Sequence, residues 1–140
     1  MKSTNLALGN VWCFSKFNMI AGGVGITPFL QICNHIFSNE ADSTEILLLY
    51  IADWEEHVVM KDLFQEWTEK HGDQFRISFL FTREPFHQNK IWKEEFAATL
   101  LAPNPDTTCT FLAGPLGLLE NRCLPVLLDL GHTHETVCEL

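Results

Sequence analysis

The segment Glu45–Ile51, Glu-Ile-Leu-Leu-Leu-Tyr-Ile, constrains the fold more than any other part of the chain. Successive side chains of a strand point to opposite faces, so an unbroken apolar run puts apolar groups on both. Such a strand is at home only inside a sheet covered on both sides, the setting of a parallel sheet in an α/β domain.

The rest of the chain fits that setting. Phe17–Ala21 reads as a buried strand stopped by Gly22-Gly23. Thr27 and Pro28 then have the form of a helix start, a hydroxyl N-cap with proline at the first helical position. Phe29, Ile32, Cys33, Ile36 and Phe37 recur at the spacing of one helical face. After the apolar strand, Asp53 and Glu56 have the spacing of a capping box ahead of a helix to about His71, with Gly72 as its stop. Val59, Met60, Leu63, Phe64 and Trp67 are its expected buried stripe. A third strand is expected over Gln74–Phe81, followed by the polar loop TREPFHQNK and a short helix around Trp92–Leu101. The turn APNPDT leads to a fourth strand, Thr107–Ala113, which Gly114-Pro115 breaks. A last helix with Leu119, Cys123, Val126, Leu127 and Leu130 on one face ends at Gly131, and Thr136–Leu140 is a candidate fifth strand. Strands separated by helices imply right-handed crossovers and a parallel sheet between two helical layers.

Composition narrows the function classes. At 140 residues, 46% hydrophobic and 19% charged, the chain has the size and balance of one globular domain. The net charge of −9 argues against a nucleic-acid or anionic-membrane surface. No apolar run approaches the roughly 18 residues of a membrane span, and MKSTNLALGN lacks the apolar core of a secretory signal. The cysteines, Cys13, Cys33, Cys109, Cys123 and Cys138, are odd in number and widely spaced, which reads as free thiols in a reducing, cytoplasmic compartment. No cysteine or carboxylate cluster accompanies His132 and His134 at ligand spacing, so no metal site is expected.

In open α/β sheets, ligands bind at the carboxyl ends of the strands. Two unusual turns fall there. In Gly22-Gly23-Val24-Gly25-Ile26-Thr27-Pro28, the glycines permit close backbone approach and the following helix presents unpaired N–H groups, a combination suited to a pyrophosphate. The spacing is not that of the G-x-G-x-x-G fingerprint. Ala113-Gly114-Pro115-Leu116-Gly117 is the second turn. Either alone also reads as a tight connection.

Met19–Gln31, MIAGGVGITPFLQ, resembles the MIAGGTGITPMLQ segment of the cytochrome b5 reductases, within the ferredoxin-NADP reductase superfamily. The resemblance continues through LLYIADWEEHVV, FRISFLFTREP, the Gly-Pro turn and the ending CLP…LGH…CEL, and so covers about Phe17 to Leu140. It implies an NAD(P)H-binding domain over 17–140, a Rossmann-like three-layer fold with a five-stranded parallel sheet in the order 3-2-1-4-5 and helices on both faces. Residues 1–16 are expected to be the remnant of an upstream flavin domain or linker, the FAD-binding barrel itself being absent. In the family, hydride passes from NADH or NADPH to FAD on that barrel, and electrons leave to a haem acceptor such as a cytochrome b5 domain. The resemblance thus implies FAD in the parent protein only, and a site in the cytoplasm or on the cytosolic face of a membrane reached through that parent.

By the same resemblance, Gly22, Gly23, Val24, Gly25, Thr27 and Pro28 occupy the loop on the pyrophosphate and nicotinamide, Gly114, Pro115 and Leu116 the loop that closes on the nicotinamide, and Thr82 and Arg83 the positions at the adenosine ribose. Three departures stand out. The Arg-x-Tyr-Ser/Thr flavin signature is missing, Val24 replaces the loop threonine, and Ala113 takes the place of the cysteine beside the hydride path, leaving no catalytic residue in this chain. NADH-preferring members tend to carry an acidic residue after strand three. Thr82-Arg83-Glu84 instead resembles the Ser-Arg-Glu of NADPH users, with Lys90 as a further charge. The expectation is NADPH, or dual use with NADPH at least equal to NADH. The alternative is that Arg83 merely pairs with a nearby carboxylate. For the whole chain, the alternative is a non-catalytic or truncated dinucleotide-binding or interaction module.

Overall fold

The computed structural model describes residues 14–84 and 91–140, so Cys13 and Lys90 lie outside it, as do most of residues 1–16 and of the TREPFHQNK loop. The elements run β1 (Lys16–Gly22), α1 (Ile26–Phe37), β2 (Glu45–Ala52), α2 (Lys61–Lys70), β3 (Phe75–Phe81), α3 (Trp92–Thr99), β4 (Thr108–Ala113), the last helix and β5 (Val137–Glu139). The last helix, α4, is continuous over residues 116–129 and contains a π-helical turn, Leu119–Cys123. The strands form one sheet in the order β3-β2-β1-β4-β5, every neighbouring pair parallel. β1 is central, with Met19 opposite Leu48 on one side and Phe111 on the other.

The two-faced apolar strand explains itself in this setting. Ile46, Leu48 and Tyr50 of β2 point into one core with Phe29, Cys33 and Ile36 of α1 and Phe64 and Trp67 of α2. Leu49 and Ile51 point into the other core, with Phe96 of α3 and Leu119, Cys123 and Leu127 of α4. Each fully buried side chain of this size is worth about 1.5–3 kcal/mol. β2 therefore draws on both layers, whereas the edge strand β3 is only partly buried.

One buried polar chain crosses the second core. The Asn18 side chain accepts from the Leu101 N–H at 2.8 Å, donates to the Leu101 carbonyl at 3.0 Å and lies 3.4 Å from the Thr110 hydroxyl. That hydroxyl lies 3.4 Å from Nδ1 of His132, which is 5% exposed and whose pKa is lowered by burial. The Asn18 amide thus satisfies its polar atoms inside the sheet and ties the α3–β4 connection to β1.

Four local expectations are corrected. α1 begins at Ile26 with Gly25 as its N-cap, so Thr27 and Pro28 sit inside the first turn, and the Thr27 hydroxyl donates to the Val24 carbonyl at 3.2 Å. Proline is tolerated there because first-turn N–H groups have no helical acceptor. Asp53 and Glu56 do not cap α2, which starts at Lys61 behind Met60 in a left-handed conformation (φ 62). Glu55–His57 is a separate 3₁₀ turn. Val59 and Met60 are about half exposed, and Val58 takes the buried position instead. The third, fourth and fifth strands and the α3 helix each come out shorter than expected, starting at Phe75, Thr108 and Val137 and ending α3 at Thr99.

Candidate functional site

The carboxyl ends of β1, β2, β3 and β4 lie on one rim. A groove of about 360 Å³ runs along it, lined by Gly22 and Gly23 after β1, Ile51, Ala52 and Asp53 at the end of β2, Thr82 after β3, and Pro115 and Leu118 after β4, with His57 and Arg122. A larger hollow of about 790 Å³ lies at the start of α2, lined by Val58, Met60, Lys61, Asp62, Leu63 and Glu66. It holds none of the strand-end residues and is not the site.

The two glycine-bearing turns touch each other through backbone. A Cβ at Gly25 would run into the Ala113 carbonyl and the Gly114 amide. Gly114, at φ 150, has its Cβ position 2.9 Å from the Gly22 carbonyl oxygen. Gly23 is different. Its φ of 56 is a left-handed conformation, and a Cβ there would meet nothing within 4 Å. Gly25 and Gly114 therefore serve the contact between turns, while Gly23 keeps the groove floor low and open.

The β2 and β3 ends are joined by side chains instead. The Thr82 hydroxyl donates to Asp53 Oδ1 at 2.6 Å, and Arg83 Nε lies 3.5 Å from Asp53 Oδ2. The Thr82 and Arg83 N–H groups continue the ladder to the Ala52 and Asp53 carbonyls at 2.9 and 3.0 Å. Glu84 accepts from the Glu55 N–H at 3.2 Å. Asp53 is thus drawn across to the third strand end, which is why it caps no helix.

The structure brings Gly22, Gly23, Thr82 and Pro115 together on the groove, with Arg83 beside it through Asp53. Gly25 and Gly114 lie behind it as the packed backbone. Val24 (87% exposed) and Leu116 (61% exposed) project from the turns and line no part of it, and Thr27 and Pro28 lie in the first turn of α1. Ala113 is buried at the end of β4. Asp53, His57, Leu118 and Arg122 are groove residues that the sequence reading missed. For Asp53, the position one residue past an interior strand was a usable signal. The four described cysteines are all buried, and burial pushes the thiols of Cys33, Cys109 and Cys123 up to about 12, so these are packing residues without nucleophilic character.

Residues 19–123 match the family described as the oxidoreductase NAD-binding domain. The chain belongs to that family. It is 30% identical over 122 residues to NADH-cytochrome b5 reductase 2 of Homo sapiens, covering 85% of this chain and 44% of that protein. It is 32% identical over 127 residues to the Gallus gallus protein of the same name, covering 85% and 40%. Among solved structures, the cytochrome b5 reductase domain of Ulva prolifera nitrate reductase superposes with a TM-score of 0.83 at 30% identity, over 91% of this chain and 50% of that one. The chain spans less than half the length of these curated relatives. Family membership and the sheet order agree with the expected NAD-binding fold. Among the described residues, no helix is long and apolar enough to cross a membrane.

Proposed function

We propose that this chain is the pyridine-nucleotide half of an NAD(P)H-dependent flavoprotein oxidoreductase. In this reading residues 17–140 bind the nucleotide, and residues 1–16 lead from a flavin-binding domain of the parent protein. The observation that carries the reading is the groove itself, floored by the Gly22–Gly23 backbone, which is open at Gly23, and walled by Thr82 on one side and Pro115 on the other. The dinucleotide lies across the strand ends, its adenosine ribose at Asp53 and Thr82, its pyrophosphate over Gly22–Gly23 and its nicotinamide toward Gly114–Pro115. Flavin, when bound in the parent protein, supplies the hydride acceptor, and this chain's residues orient the donor toward it. The exposed Val24 and Leu116 at the nicotinamide end are apolar surface suited to cover by the flavin-binding domain. Electrons then pass to a haem protein such as cytochrome b5. A cytoplasmic setting belongs to the same proposal and is supported by the buried free thiols.

Cofactor choice turns on the adenosine end. Thr82 and Arg83 offer a hydroxyl and a guanidinium to a 2′-phosphate, which supports NADPH at least equal to NADH. The Asp53 carboxylate favours a second reading, NADH, because it already engages both donors and is itself an acceptor for ribose hydroxyls. Calorimetric titration of the chain with each nucleotide decides between them, repeated with Arg83→Ala. Tighter NADPH binding that Arg83→Ala abolishes supports the first. Tighter NADH binding supports the second. Failure of both nucleotides to bind removes the nucleotide reading altogether.

A further inference from the structure

Among the described groove-lining residues, Arg122 alone carries a permanent positive charge. It sits in the π-helical turn Leu119–Cys123, whose flanking residues Leu119 and Cys123 are buried to 2% and 0% exposure. With those two side chains fixed in the core, Arg122 is turned out toward the groove beside Leu118, one turn earlier on the same wall. A π turn departs from the regular helical progression, and such turns recur at functional positions.

The guanidinium is held in place. Its central carbon lies 3.6 Å from the centroid of the Trp92 ring, and Trp92 stacks in turn on the fully buried Phe96 at 5.9 Å and 27°. A cation over an aromatic ring is engaged through its face, so the N–H donors around the edge of the plane remain directed outward. Among the described residues, no hydrogen bond or ion pair uses them. Asp53, the groove's carboxylate, is committed to Thr82 and Arg83. The arrangement is a fixed cation with unused planar donors on the wall of a groove whose floor is bare backbone.

Resting on the nucleotide reading above, we propose that Arg122 is a phosphate-binding residue of this site, taking phosphate oxygens of the bound dinucleotide through its outward N–H edge. Guanidinium–phosphate pairing is charge-assisted and bidentate, and a pre-placed guanidinium loses little freedom on binding. The role also meets a need of this chain. Gly22 and Gly23 carry no side chains, so at these positions the groove offers only backbone donors, and Arg122 adds the charge.

The dinucleotide presents this chemistry at two places, the pyrophosphate common to both nucleotides and the 2′-phosphate of NADPH alone. Titration calorimetry of the full chain with NADH and with NADPH, at low and high salt, compares wild type, Arg122→Gln and Arg122→Lys. Arg122→Gln is expected to weaken binding roughly tenfold and to flatten its salt dependence, with Arg122→Lys recovering part of the affinity. Loss for both nucleotides assigns Arg122 to the pyrophosphate, and loss for NADPH alone assigns it to the 2′-phosphate. Unchanged affinities in Arg122→Gln overturn the proposal and leave the nucleotide reading standing. A loss that Arg122→Lys does not relieve, with salt dependence unaltered, shows a packing role and also overturns it. If wild type binds neither nucleotide, both readings fall together.

Discussion

The two halves of the groove are built from different materials. On the β1–β4 side, backbone packs on backbone: Gly25 lies under Ala113 and Gly114, and Gly114 lies against Gly22. On the β2–β3 side, exposed side chains do the joining, with Asp53 and Arg83 at 53% and 68% exposure. Change is tolerated unequally on the two sides. Backbone contacts leave no room for even a methyl group, so that half is fixed for any ligand. Screened, exposed pairs are worth about 0–1 kcal/mol, so the other half is free to vary, and in the proposed function it is the half that sets nucleotide identity.

The largest effect that tests this contrast is Gly25→Ala. Gly25 has an ordinary helical backbone, so the penalty is purely steric, and its neighbours are backbone atoms that cannot rotate away. A loss of about 3 kcal/mol in urea denaturation is expected. A loss below about 1 kcal/mol would mean that the turns separate easily and the contrast fails. Gly23→Ala, two residues away, meets open space and bears only the left-handed backbone cost of about 1 kcal/mol. Its main effect is expected in nucleotide affinity, read by titration, because the added methyl lines the groove.

Acid probes the support beneath the β4 side. His132 has its folded pKa lowered below the ordinary 6.5 by burial, so the folded state binds fewer protons than the unfolded chain. Its contribution to stability is therefore fully present above about 6.5 and is lost progressively as pH falls below that value, toward the folded pKa. Thermal melting is expected to drop between pH 7 and pH 5, and to drop less in His132→Asn. Equal pH dependence in the two would remove His132 from the support of β4.

The smallest stability effect is expected at Asp53. Asp53→Asn keeps an acceptor for the Thr82 hydroxyl and loses only an exposed ion pair, so stability should change by less than about 0.5 kcal/mol. The NADPH-to-NADH affinity ratio should nonetheless rise about tenfold, as a carboxylate is removed from beside the proposed position of a 2′-phosphate. A stability loss above about 1 kcal/mol would show that this half is as rigid as the other.

Much of the fold was legible because each interior strand carries its own evidence. Glu45–Ile51 is apolar on both faces and could belong only between two helical layers. The glycine turns and Thr82 were legible through their resemblance to known segments. Local signals failed where a distant partner intervened. Asp53 and Glu56 have capping-box spacing, yet the Asp53 carboxylate is taken by Thr82, 29 residues away. Thr27 and Pro28 have the form of a helix start, but Gly25 packed under Ala113 begins the helix earlier. Arg122 was invisible for another reason: periodicity reports which residues of α4 face the core, and a π turn changes where its neighbours on the outer side point.

The strand order also sets when the sheet can close. A nascent chain emerging as far as Phe81 carries β1, β2 and β3 and can pair them, yet the other ladder of β1, from Lys16 to Ala21, finds its partner only in residues 108–113. Through that interval the middle of the finished sheet is an unpaired edge, rich in buried-type side chains and with its N–H and C=O groups exposed. Protection of the central strand thus depends on residues 108–113, which are synthesised well after β3. A chain cut short before residue 108 would not be a smaller version of this domain. It would be a three-stranded sheet with its most apolar edge left open.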